Sequence, residues 1–132
     1  MRPDLNDFEG IWTFDRRVTH EAGLPAKASG HAVFTPDGTG LRYDETGQLR
    51  INDGSPMTAT RCYLWRRGGV VLVEEGRSYH TIPDDQDPAR HYCDADTYDV
   101  RYGFLNWQIW TRRWSVTGPK KAYDMATVYQ PG

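Results

Sequence analysis

Met57-Thr58-Ala59-Thr60-Arg61-Cys62-Tyr63-Leu64-Trp65-Arg66 sets Met57, Ala59, Arg61, Tyr63 and Trp65 on one side of an extended chain and the residues between them on the other. Successive strand side chains point to opposite faces. The first set therefore reads as the inner wall of a small β-barrel carrying one cation. An arginine flanked by Met, Ala, Tyr and Trp is either an ion-pair partner in a core or an anion receptor in a pocket, because a buried charge has to be paired and hydrogen-bonded.

The same period of two runs through most of the chain. Upstream, Trp12, Phe14, Arg16 and Val18 share one face of a long strand, with Ile11, Thr13, Asp15, Arg17 and Thr19 on the other. Before it, residues 4 to 8 read as a single helical turn capped by Asp4 behind Pro3. Gly30, Ala32 and Phe34 alternate and stop at the turn Pro36-Asp37-Gly38; Leu41, Tyr43 and Glu45 form the next face. Thr46-Gly47 predicts a turn into residues 49 to 52, and Asp53-Gly54-Ser55-Pro56 a second turn into the Met57 strand. Downstream strands are expected at 70–75, 77–82, 91–94, 98–104 and 107–116, with the Asp-rich residues 83–88 as the longest unpatterned loop. After Gly118-Pro119 a last strand carries Tyr123, Met125, Thr127 and Tyr129 on one face. Roughly nine or ten strands without a helical stripe define an all-β antiparallel up-and-down meander. Closing it into a barrel removes its unpaired edges.

A chain of 132 residues is expected to make a single domain, 1–132, with a core of its own. A net charge of -2 offers no basic footprint for nucleic acid and no polybasic segment for an anionic membrane surface. The N-terminal residues lack an apolar signal core, and no run approaches the length of a membrane span, so a cytoplasmic location is expected. In that compartment Cys62 and Cys93 read as separate thiols. The 5 Trp and 8 Tyr outnumber the 4 Phe, and such rings suit walls with one end buried and the other hydrogen-bonded.

Gly10-Ile11-Trp12, behind the short turn, resembles the Gly-x-Trp signature of the lipocalin or calycin superfamily. Phe8-Glu9-Gly10-Ile11-Trp12, His91-x-Cys93 and Gly118-Pro119-Lys120-Lys121-x-Tyr123-x-Met125-x-Thr127 are similar to a family of small bacterial proteins labelled as a domain of unknown function. The first resemblance implies a calycin-like barrel whose Trp plugs the closed end beneath a late cation, here Arg112, Arg113 or Lys121. Haem-binding barrels of the nitrobindin type carry a longer glycine pattern after the Trp; Thr13, Phe14, Asp15 and Arg16 stand there instead, against haem.

Arg16, Arg61 and Arg112 fall on faces assigned to the interior, with only Glu45 and Asp96 as acids on similar faces. Three cations against two acids leave one guanidinium for a ligand carboxylate or phosphate, which its fork grips bidentately. The opposing reading closes Arg16, Arg61, Glu45 and Asp96 into an internal salt-bridge network at the plugged end, with Trp faces stacked on the guanidinium groups. Gly30 and Ala32 favour a cavity, since small inward residues leave space. The candidate ligand-binding residues are Arg16, Tyr43, Arg61, Tyr63, Tyr98, Arg112 and Tyr123, with Tyr102 and Tyr129 as further inward phenols. Arg61-Cys62-Tyr63 also resembles the Arg-x-Tyr pair with which fatty-acid-binding barrels hold a carboxylate.

His80, His91 and Cys93 are zinc-type ligands, with Asp94 or Asp96 as a fourth, but their spacing matches no standard site. They read as rim side chains, and neither metal nor cofactor is expected. Asp84, Asp85 and Asp87 lack the spacing of a calcium loop, and Lys120 and Lys121 read as a solvated hairpin tip. The expected function is the binding of a small, partly apolar anionic molecule inside the barrel. Two alternatives stand: a small-acid lyase or isomerase using Arg61, Tyr63 and Glu45, or a filled barrel acting through a homodimer or partner surface.

Overall fold

The computed structural model describes residues 2–20, 23–67, 69–72, 77–80, 88–93, 96–119 and 122–132; of residues 71–72, 77–80, 88–93 and 96 it describes the backbone alone. A 3-10 turn, Leu5–Phe8, comes first. Its Asp4 N–H donates to the Asp7 carboxylate at 2.9 Å, which holds the turn as the predicted cap position requires.

Among the described residues ten strands follow: β1 (Gly10–His20), β2 (Ala26–Asp37), β3 (Gly40–Ile51), β4 (Met57–Arg66), β5 (Gly69–Leu72), β6 (Arg77–His80), β7 (Pro88–Cys93), β8 (Asp96–Gly103), β9 (Trp110–Thr117) and β10 (Ala122–Pro131). They form one sheet in the order β6-β5-β4-β3-β2-β1-β10-β9-β8-β7. Every pairing in it is antiparallel. This is the up-and-down meander that the alternation predicts, joined to itself by β1 with β10.

The sheet is strongly curled. Strands β4 and β8 stand six places apart in the order, about 29 Å in a flat sheet, yet the rings of Trp65 and Tyr102 meet at 6.1 Å. At the two ends of the order, β6 and β7 come back within 8 Å of each other by Cα position. Inward residues of facing strands thus share one core, the lipocalin-like barrel geometry. Among the described residues no helix is long and apolar enough to cross a membrane.

Two expected boundaries move. Thr46-Gly47 is no turn; β3 runs unbroken from Gly40 to Ile51, and Gly47 lies opposite Gly30 of β2. A Cβ at Gly30 would sit 2.2 Å from the Thr46 carbonyl oxygen, and one at Gly47 would sit 2.6 Å from the Ser29 carbonyl oxygen and 2.9 Å from Phe14 Cζ. These glycines permit close strand approach and make room for Phe14, so the space expected at Gly30 is filled. The strand expected from Trp107 begins at Trp110, because Trp107 N–H bonds Phe104 O at 3.1 Å and Ile109 N–H bonds Asn106 O at 2.8 Å in a tight turn.

The end nearest the 3-10 turn is sealed by aromatics. Trp12 Nε1 donates to the Phe8 carbonyl at 2.8 Å, and Trp107 and Trp110 pack on Trp12 at ring distances of 5.5 and 5.9 Å. Phe8 adds contacts to Phe34, Trp65 and Phe104 at 5.7, 5.2 and 6.0 Å. Among the described residues indole rings, not Arg112 or Arg113, pack on Trp12. Arg113 is exposed on the outer face, and Lys121 lies outside the described residues.

Candidate functional site: a buried arginine in a tyrosine cage

One layer in from the aromatic plug, β1, β3, β4, β9 and β10 direct polar groups into the core. Arg16 of β1 reaches across to Glu45 of β3, with Nη1–Oε2 at 2.6 Å and Nη2–Oε1 at 2.7 Å, while its Nε donates to Thr127 Oγ1 at 2.8 Å. Register explains the meeting: Arg16 stands beside Ala28 of β2 and Thr127 of β10, and the small residues of β2 let it span to β3. In this bidentate, buried pair the Arg16 guanidinium is fully occupied by Glu45 and Thr127.

Arg112 of β9 is different. It is 1% exposed, and its guanidinium carbon lies 5.7, 5.9, 5.8 and 5.7 Å from the ring centres of Tyr43, Tyr63, Trp114 and Tyr129. Its Nη2 donates to Tyr129 Oη at 2.9 Å. Among the described residues Nε and Nη1 have no hydrogen-bond partner, and the same holds for the buried indole N–H groups of Trp65 and Trp110. Those orphaned atoms are donors, so this part of the core lacks acceptors.

A hydrogen-bond chain joins the two arginines. Tyr129 Oη and Tyr43 Oη are 2.8 Å apart, and Tyr43 makes a very short bond to Glu45 Oε1. A guanidinium only donates and a carboxylate only accepts. The order is thus fixed as Arg112 to Tyr129 to Tyr43 to Glu45, with Arg16 donating to Glu45 from the other side. Burial, the largest influence, pushes the Tyr43 phenol well up from its ordinary value, so it remains the neutral donor this chain needs. Burial alone would also raise the Glu45 carboxyl, but the Arg16 hydrogen bonds and charge and the Tyr43 hydroxyl outweigh it and hold the group below its ordinary value.

The opening strand is only half interior. Tyr63 and Trp65 are buried, whereas Met57 is 49% exposed and the Arg61 side chain 44% exposed. The first half of β4, Met57 to Arg61, lies towards the end opposite the plug. From there Arg61 Nε lies 4.0 Å from Glu45 Oε2, and Nη1 lies 3.4 Å from Tyr63 Oη. Arg61 is thus a rim cation and not the buried one that its neighbours suggest. Tyr98 is half-buried and meets Trp114 edge-on at 5.9 Å. Tyr123, also half-buried, lies 5.3 Å from His20. Arg16, Tyr43, Arg61, Tyr63 and Arg112 do converge. Tyr129, which links Arg112 to Tyr43, and the Thr127 bond follow from register alone, although both sit on the inward face read from the sequence. The side chains of His80, His91, Cys93 and Asp96 lie outside the described residues.

A curled antiparallel sheet, plugged at one end by a Gly-x-Trp tryptophan and lined by aromatic and guanidinium groups, defines a lipocalin-like barrel protein. The model of a family of unknown function, DUF6314, matches residues 8–131, and the chain belongs to that family. Among solved structures it is similar to the S-type phycobiliprotein lyase CPES from Guillardia theta, with a TM-score of 0.59 and 12% identity over 97% of this chain and 91% of that one. No curated protein matches the sequence. At that identity the likeness is one of fold.

Proposed function

We propose that the barrel binds a small, partly apolar anionic molecule whose carboxylate or phosphate meets Arg112. One observation carries this reading: Arg112 is buried without a carboxylate partner among the described residues, with Nε and Nη1 unbonded. A buried guanidinium costs several kcal/mol unless it is paired, and a ligand anion would supply the missing acceptor. Arg16 is excluded from this role by Glu45, and Arg61 acts from the rim. Tyr43, Tyr63 and Trp114 would then be walls around the anion, with Tyr98 behind Trp114 and Tyr123 near the entrance.

The fold neighbour is a phycobiliprotein lyase, which makes biliverdin, an apolar tetrapyrrole with two carboxylates, a reasonable probe beside decanoate. Titration of the intrinsic tryptophan fluorescence with each should give saturable binding in the wild type. Arg112→Met should weaken it about tenfold or more, as expected for loss of a charge-assisted hydrogen bond. Arg61→Met should change it less. Arg112→Lys, which keeps the charge but not the fork, should fall between. Equal affinity in wild type and a folded Arg112→Met variant, or no binding of either probe, would overturn the assignment.

A further inference from the structure

On the outer surface, cations fall in one cross-strand row interrupted once, at Ala126. Direct cross-strand partners run Arg101 to Arg113, Arg113 to Ala126, Ala126 to Arg17, Arg17 to Lys27 and Lys27 to Arg50, from β8 through β9, β10, β1 and β2 to β3. Arg101, Arg113, Arg17, Lys27 and Arg50 are all exposed. Like charges directly opposite on neighbouring strands repel. Folding asks only for a polar residue at each of these outward positions, so the repeated cation needs another explanation.

The β3 end of the row is concave. Arg17, Lys27 and Arg50 together line two adjoining depressions, one bordered by Asp15, Ser29 and Gln48, the other by Thr19, Asn52 and Asp53. Among the described residues none of the three makes an ion pair with an acid. Neighbouring strands lie about 4.8 Å apart, so the three cations span about 10 Å, the reach of a short chain of phosphates.

We propose that Arg17, Lys27 and Arg50 form an oxyanion site on the outside of the barrel for a compact polyphosphate group, the di- or triphosphate of a soluble small molecule. Two guanidinium forks grip phosphate oxygens bidentately and the lysine adds a point charge between them. Asp15 and Asp53 border the depressions and repel a long polyanion lying across them. The net charge of -2 supplies no long-range attraction to a membrane or a nucleic acid. A compact anion avoids both obstacles. The site is independent of the interior Arg112 cage, since its side chains are exposed on the outer face of the sheet while Arg112 is buried on the inner one.

The test is calorimetric titration of the full chain with inorganic tripolyphosphate at constant ionic strength. Saturable binding is expected in the wild type. The Arg17→Gln/Lys27→Gln/Arg50→Gln variant should bind about tenfold or more weakly, and Arg113→Gln should stay within about twofold. The three positions are exposed, so the fold should persist; if far-UV circular dichroism shows otherwise, Lys27→Glu replaces the triple variant and should also bind about tenfold or more weakly. No saturable heat in the wild type, or equal affinity in the variants, overturns the proposal. So does binding of single-stranded oligonucleotides or phosphatidylglycerol vesicles through these residues while tripolyphosphate stays inert.

Discussion

Arg16 and Arg112 carry the same charge in the same core and should answer mutation in opposite ways. Arg16 is held by Glu45 through two hydrogen bonds of 2.6 and 2.7 Å. Glu45→Gln leaves that guanidinium buried without its counter-charge and should destabilise the protein by about 3–5 kcal/mol. Arg112 faces phenols and indoles and is hydrogen-bonded to the Tyr129 and Tyr102 hydroxyls, none of them an anion. Replacing a buried charge that has no ionic partner by an apolar side chain of similar length removes a desolvation penalty. Arg112→Met should therefore leave stability within about 1 kcal/mol of wild type or raise it. Urea midpoints at neutral pH distinguish the two. A loss in Arg112→Met as large as that in Glu45→Gln would mean that Arg112 holds the fold together and would remove the reason to assign it a ligand.

Register decides whether a strand residue is packing, site or surface. Gly47 illustrates the first. The Ser29 carbonyl oxygen and Phe14 Cζ stand 2.6 and 2.9 Å from the position of a Cβ there, and the first of these is backbone, which cannot swing away. Gly47→Ala should cost about 1–3 kcal/mol by overpacking, read as a lower thermal midpoint. Lys27 illustrates the surface. Its direct neighbours are Arg17 and Arg50, so Lys27→Gln should raise stability by a few tenths to about 1 kcal/mol in the absence of added anions. A drop would show that the row is compensated locally.

These two positions also mark what the amino-acid order could reveal. The alternation along β1 placed Trp12, Phe14 and Arg16 correctly inside, because one strand carries its own period. Thr46-Gly47 reads as a turn because a glycine after threonine looks the same whether the chain bends or a neighbouring strand presses close. The apolar neighbours of Arg61 predict an interior cation, but where a strand leaves the barrel depends on strand length against barrel height, not on local alternation. The Arg16–Glu45 pair, 29 residues apart, and the outer cationic row depend on pairing across several strands, which no single stretch of sequence encodes.

At the level of the whole molecule, the buried polar layer sets the pH range over which the barrel holds together. Glu45 has its carboxyl pulled below the ordinary value, the Arg16 bonds outweighing burial. A depressed carboxyl stabilises the fold at pH values above the ordinary one, about 4.3, and that contribution is lost as pH falls through the folded value. Tyr43 and Tyr102 are shifted the other way, mainly by burial. Their contribution is complete below the ordinary phenol value of about 10 and is lost as pH rises above it, because folding must then compete with ionisation of the unfolded chain. Stability should thus show a plateau between roughly pH 5 and pH 9, with an acid limb and an alkaline limb. Each group contributes a slope of at most about 1.4 kcal/mol per pH unit on its limb. Unfolding free energies measured across this range should show Glu45→Gln flattening the acid limb alone and Tyr102→Phe flattening the alkaline limb alone. If Glu45→Gln leaves the acid limb unchanged, the Arg16–Glu45 pair is not what holds the layer below pH 5, and the hydrogen-bond chain from Arg112 to Glu45 loses its fixed direction.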